Sequence, residues 1–154
     1  MLTVRGPLLG QSHVCEPILR ALPEWFGIEQ ATVAYAEQTD TLPTFIAVRD
    51  EQPIGFLTLR IHNPHAAEIT VMGVLPSEHH HGVGRALLAA AEAYLRAAGV
   101  SFLQVKTLSA THPDPHYART RAFYLAVGFT PLEEFPDLWD TANPCLQMVK
   151  SIRP

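Results

Sequence analysis

Two glycines behind a run of histidines mark the part of this sequence best equipped for chemistry. The stretch Val74-Leu75-Pro76-Ser77-Glu78-His79-His80-His81-Gly82-Val83-Gly84-Arg85-Ala86-Leu87-Leu88 reads as a strand end, a short loop and the opening of an amphipathic helix. A helix N-terminus carries unpaired N–H groups and the positive end of the helix dipole, which suits an anion. Gly82 and Gly84 clear side chains from backbone that a pyrophosphate would approach. The pair is equally explained by a helix that simply starts close to a sheet. Two familiar phosphate loops are excluded. A Walker loop ends Gly-Lys-Ser/Thr, and this turn ends Gly-Arg-Ala; a dinucleotide fingerprint needs a third small residue where Leu87 stands.

The triplet His79-His80-His81 invites a zinc reading. Three adjacent imidazoles on a loop do not converge easily on one ion, and neither Cys-x-x-Cys nor His-Glu-x-x-His is present, so no metal is expected. His112 and His116, in the Pro-rich loop, read as proton carriers, as acceptor contacts or, more often for such residues, as plain surface histidines. Cys15 and Cys145 do not form a disulfide framework and read as small buried hydrophobes.

The elements that position these groups follow from periodicity. Strands are expected at residues 2–5, 44–49, 54–62, 66–75, 101–108, 129–135 and 145–152, and helices at 16–22, 28–38, 82–98 and 115–127. Residues 50–53 make a turn between two hairpin strands. In the long helix, Val83, Leu87, Ala90, Ala91, Tyr94 and Ala98 fall on one stripe, with a Glu92–Arg96 pair elsewhere on its surface. Asp114 is placed to cap the last helix with Pro115 at its first position, and Gly128 to end it. Strand–helix alternation in the middle with strands at both ends indicates an α/β domain on a mixed sheet.

The chain has 154 residues, 47% hydrophobic and 17% charged, which fits one folded domain rather than a disordered chain. A net charge of −4 argues against non-specific nucleic-acid binding. No apolar run is long enough for a membrane span and no signal-peptide pattern opens the chain, so no membrane partner and a cytoplasmic location are expected.

The run Val-x-Pro-x-x-His-x-x-Gly-x-Gly-Arg-Ala-Leu-Leu resembles the acetyl-CoA motif of the GNAT N-acetyltransferase superfamily. A second stretch, Thr120-Arg121-Ala122-Phe123-Tyr124-Leu125-Ala126-Val127-Gly128-Phe129, resembles the family's Phe-Tyr, three residues, Gly-Phe pattern. His79 stands where the family usually has arginine or glutamine, and Tyr117 where it often has asparagine near the pantetheine arm. The two motifs with their strands span residues 44–135. The resemblance implies a single domain over residues 1–154, with helices on both faces of a mixed, mostly antiparallel sheet of about six to seven strands. It also implies acetyl-CoA as cosubstrate and an amine acceptor, and leaves room for a homodimer.

The resemblance further implies which residues meet these molecules. Met72, Gly73 and Val74, at the end of a splayed strand, would bind pantetheine or polarise the thioester carbonyl through backbone N–H groups. His79, His80, His81, Gly82, Val83, Gly84, Arg85 and Ala86 would form the pyrophosphate turn, with Tyr117 near the pantetheine arm. Tyr124 would be the general acid, since a phenol of pKa about 10 stays protonated at neutral pH; otherwise it is a core aromatic. Glu68, fourteen residues before Gly82, would be the base, directly or through water; otherwise it is a strand-end carboxylate in solvent. The acceptor would meet Glu24, Trp25 and Phe26 and, near the last strands, Asp137, Trp139 and Asp140, where aromatics with carboxylates suit a cation. The two tryptophans are equally suited to capping the core. Against an enzyme stand an acyl-CoA-sensing module without turnover and a metal-binding protein built on the histidine triplet.

Overall fold

The computed structural model describes residues 1–153. Seven strands form one sheet: β1 (Leu2–Leu8), β2 (Thr44–Arg49), β3 (Gln52–Asn63), β4 (Ala66–Val74), β5 (Phe102–Leu108), β6 (Thr130–Asp140) and β7 (Asn143–Ser151). Their order is β1-β2-β3-β4-β5-β7-β6. Every neighbouring pair is antiparallel except β4 and β5, which run parallel. Four helices cover it: α1 (Ser12–Arg20), α2 (Glu29–Thr41), α3 (Val83–Ala97) and α4 (Pro115–Ala126). Helix α3 supplies the parallel crossover that joins β4 to β5, the connection parallel strands require.

Apolar residues sort onto the two faces of the sheet. Phe45, Leu57, Leu59 and Ile69 pack with Val83, Leu87 and Leu95 of α3. On the other face Ile46, Phe56 and Val71 pack with Cys15, Ile18 and Leu19 of α1. The mixed sheet with helices on both faces is therefore as the sequence indicated. No helix among the described residues is long and apolar enough to cross a membrane.

Several element ends differ from the periodicity reading, each for a non-local reason. Helix α1 starts at Ser12 rather than residue 16, because its cap comes from another helix: the Asp40 carboxylate accepts from the Ser12 N–H at 2.9 Å. Strand β1 runs on to Leu8, where it still pairs with Thr44. The β2–β3 turn shortens to two residues, Asp50 and Glu51, both at positive φ, which matches the twist of a tight hairpin. Strand β6 continues to Asp140, whose carboxylate accepts from the N–H groups of Ala142 and Asn143 and closes the hairpin into β7. Trp139 and Asp140 thus belong to a strand end rather than a loop.

Glu92 is a further correction. It is buried rather than on the surface. Its carboxylate meets Arg96 at 2.8 Å and Lys150 of β7 at 2.8 Å, while Arg96 also donates to the Ile152 carbonyl at 2.7 Å. Glu92→Ala leaves Arg96, which is exposed, and Lys150, which is half-buried, without this counter-charge. That substitution should cost about 1–2 kcal/mol in denaturant unfolding, less than breaking a fully buried pair, because water reaches both cations.

Candidate active site

A defect in strand pairing opens the site. Thr58 pairs with Val71 and Leu59 with Ile69, so Thr70 is an extra residue in β4, a β-bulge. The bulge switches the alternation, so Ile69 packs on the α3 side and Val71 on the α1 side. On its other edge β4 pairs with β5 only from Ala66–Phe102 to Ile69–Val105. Beyond that point the two strands part. The β4 backbone from Thr70 to Val74 then turns N–H and C=O groups toward a space with no strand in it. Backbone groups in such a place need a ligand or water as partner. A cleft of about 890 Å3 occupies the gap, lined by Met72, Gly73 and Val74 on one wall and Lys106, Thr107 and Leu108 on the other.

At one end the cleft reaches the N-terminus of α3. Gly82 is the N-cap, with φ +81° and no side-chain cap, so the helix dipole opens outward. The Ala86 N–H already bonds the Gly82 carbonyl at 3.0 Å, leaving the N–H groups of Val83, Gly84 and Arg85 as the free donors. Gly82, Val83, Gly84 and Arg85 line the cleft; Ala86 and His81 do not. The two glycines differ in their purpose. Gly82 needs its left-handed conformation and has open space around it, whereas a Cβ at Gly84 would stand 3.0 Å from the Phe123 ring. Gly84 therefore lets α4 close against α3.

The three histidines diverge. The His79 Nε2–H donates to the Val74 carbonyl at 2.8 Å, tying the loop to the end of β4. His80 lines the cleft in a left-handed conformation. His81 is exposed, 3.6 Å from Glu78. Among the described residues no group of three metal-ligating side chains converges.

Helix α4 forms the opposite wall. Asp114 accepts from the His116 and Tyr117 N–H groups at 2.8 and 3.3 Å, with Pro115 at the first position, as the sequence indicated. Arg121 ties the helix to the end of β5 by donating to the Leu108 carbonyl at 2.6 Å. The i, i+3, i+7 spacing then turns Tyr117, Thr120 and Tyr124 toward the cleft. Tyr124 is buried, its ring edge-on to Phe123 and Phe129 at 5.4 and 5.3 Å. Burial holds its phenol above the usual pKa. Tyr124 is thus both a core aromatic and a cleft residue. Burial also lifts the Tyr117 phenol, to about 12, and its hydroxyl donates to the Trp25 carbonyl at 2.9 Å.

Glu68 stands back from the cleft. Both carboxylate oxygens lie 3.2 Å from Lys106 Nζ, and one is 2.7 Å from His62 Nε2. It is neither free in solvent nor on the cleft wall; Lys106 stands between them. Among the expected acceptor contacts, Trp25, Phe26, Trp139 and Asp140 line the cleft, whereas Glu24 and Asp137 are exposed and lie outside it. His116 packs edge-on against Trp25 at 4.9 Å. His112 lies outside the cleft lining. Both cysteines are buried thiols whose pKa burial raises, to about 12 for Cys15, so neither is a ready nucleophile.

Sequence reasoning missed Tyr35, Lys106, Thr107, Arg119 and Thr120, all on the cleft wall. Thr120 was within reach, since it shares a helical face with Tyr117 and Tyr124, whereas Arg119 stands on another face of α4 and only its long side chain reaches the cleft. Lys106 and Thr107 were not within reach, because only the parting of β4 from β5 brings them to the cleft wall. Thr107 is buried, and its Oγ1 has no hydrogen-bond partner.

The model of the Acetyltransferase (GNAT) family matches residues 14–129. No curated protein sequence matches the chain. Among solved structures, a protein assigned to the GNAT acetyltransferases from Desulfovibrio desulfuricans superposes with a TM-score of 0.86 at 18% identity, covering 99% of both chains. The ribosomal-protein-S18-alanine N-acetyltransferase of Escherichia coli gives 0.79 at 17% identity, over 100% of this chain and 96% of that one. The PaiA N-acetyltransferase of Thermoplasma acidophilum, solved with coenzyme A, gives 0.74 at 16%, over 98% and 99%.

A buried hydroxyl without a partner costs free energy in the empty protein. Thr107→Val should therefore raise the unfolding free energy of the ligand-free protein by about 1 kcal/mol. Urea unfolding measures this, and a loss of stability would mean that the hydroxyl has a partner in solution.

Proposed function

Because the chain belongs to the GNAT acetyltransferase family, we propose that it moves the acetyl group of acetyl-CoA to a primary amine within a ternary complex. The observation that carries this reading is the parting of β4 from β5, which opens a cleft running from the free N–H groups of α3 to the buried phenol of Tyr124. A pyrophosphate fits the donors of Val83, Gly84 and Arg85, with the Arg85 side chain and His80 beside them. The amide-bearing pantetheine arm fits the unpaired β4 edge at Met72, Gly73 and Val74.

In the transfer, the amine lone pair attacks the thioester carbon, the C–S bond breaks, and acetyl passes to nitrogen. The leaving thiolate takes a proton from the Tyr124 hydroxyl, which a raised pKa keeps available at neutral pH. The proton lost by the amine passes through water to Glu68. Its pairing with Lys106 holds that carboxylate in place, and His62 connects it to solvent. The β4 N–H groups past the bulge favour charge on the thioester oxygen. Phe26, Trp139 and Asp140 are the acceptor-side contacts. No step needs a metal, and extensive chelation should leave turnover unchanged.

Acetyl-CoA should raise the melting temperature, since it binds the native state alone. Asn and Asp both tolerate the left-handed conformation at Gly82 and differ chiefly in charge. Gly82→Asp should abolish the acetyl-CoA shift and Gly82→Asn should retain most of it; equal shifts would remove the anion turn from the reading.

Tyr124→Phe keeps the ring and its packing. Turnover against a panel of primary amines should fall by roughly 10²–10⁴-fold, the usual weight of a positioned acid, with acetyl-CoA affinity little changed. The raised phenol pKa puts any rate loss from its ionisation above its ordinary value near pH 10. A limb at lower pH should therefore persist in the variant. Coenzyme A binding with no turnover on any amine would instead favour an acyl-CoA sensor.

A further inference from the structure

The loop at residues 21–28, between α1 and α2, crosses to the far wall of the cleft, and Trp25 is where it lands. Its carbonyl accepts from the Tyr117 hydroxyl at 2.9 Å, and its indole N–H donates to Thr120 Oγ1 at 3.0 Å. Thr120 donates its own proton to the His116 carbonyl at 3.3 Å, so its oxygen is free to accept from the indole. The indole also meets the edge of His116 at 4.9 Å, and the Arg119 guanidinium lies 6.0 Å from the ring. All four partners are on α4. On its other side the ring meets His79 at 5.7 Å, and His79 is itself bonded to the last carbonyl of β4. Trp25 therefore joins the end of β4 to α4, the two walls between which the cleft runs.

A residue placed only to cap the core would need none of this polar matching. The backbone and the side chain are each bonded to α4, across more than ninety residues of sequence in the two hydrogen bonds. A ligand segment that runs along the unpaired edge of β4 and toward Tyr124 has to pass beneath this bridge.

Resting on the acetyltransferase reading, we propose that Trp25 is a positioning residue for the acyl-CoA rather than an acceptor contact. It roofs the pantetheine arm, turns the groove between β4 and α4 into a channel, and keeps water from the thioester. Tyr117 and Thr120 are the two hydroxyls that hold the roof down. Tyr117 thereby acts on the arm through Trp25 rather than through its own hydroxyl.

The double variant Tyr117→Phe with Thr120→Val removes both tethers and leaves every ring of the cleft in place. Its KM for acetyl-CoA should rise by about tenfold, the effect of releasing two hydrogen bonds, with a smaller change in kcat. Hydrolysis without an amine should rise as well. In that reaction water attacks the acetyl carbon, the C–S bond breaks, and acetate and coenzyme A thiol are released. A roof predicts a higher ratio of hydrolysis to transfer, which a general loss of stability would not produce.

Binding gives an independent readout. In a Trp139→Phe background, Trp25 is the remaining tryptophan. Its emission should shift on adding coenzyme A and stay unchanged with adenosine 3′-phosphate 5′-diphosphate, which carries the nucleotide but no arm. The same shift from both ligands would overturn the proposal, as would a double variant with unchanged KM and unchanged hydrolysis. If acetyl-CoA fails to stabilise the wild-type protein, the acetyltransferase reading falls first. If it stabilises the protein without altering Trp25 emission, only the roof falls.

Discussion

Strands β4 and β5 are the only parallel neighbours in the sheet, and they stay paired over just four residue pairs, ending at Ile69 and Val105. Everything that follows depends on that short ladder. Thr70 is the inserted residue that bends β4 away while leaving its pairing to β3 intact. A continuous ladder would have buried the β4 backbone against β5 and filled the space the cleft occupies. The parting instead leaves backbone donors facing a cavity, with Lys106 and Thr107 lining it on one side and Met72 on the other.

Rigid surroundings keep this gap from closing. Helix α3 is fixed to β7 through the buried Glu92, and α4 is fixed to the end of β5 by Arg121. Gly84 and Phe123 set how closely α3 and α4 approach. The free N–H groups at the α3 N-terminus and the buried phenol on α4 thus belong to one scaffold, and the distance between them is set by helix packing rather than by loops. The loop that crosses above is tied down at Trp25 by groups on α4, and the Trp25 ring packs on His79, which the end of β4 holds.

The polar groups around β4 divide by sheet face. Ile69 and Met72 turn toward α3, while Glu68, Val71 and Gly73 turn toward α1. Glu68 sits in the part of β4 that is still paired, so its side chain meets Lys106 on the neighbouring strand instead of the cleft. Without the bulge, and with Val71 still opposite Thr58, that carboxylate would turn to the other face.

Much of this was legible locally. The glycine that opens α3, the Asp114–Pro115 cap and the Gly128 stop depend on hydrogen bonds within one helical turn, and short-range residue types determine those. The glycine turn at the head of α3 and the place of Tyr124 on α4 were readable from the two motifs and the spacing between them. What the tertiary structure alone decided involves partners far apart in the chain. The cap of α1 by Asp40, the burial of Glu92 beside Lys150, the Glu68–Lys106 pair and the Trp25 bridge are all of this kind. So is the strand gap itself, because a bulge is a mismatch of register between two strands and has no signature in either strand alone.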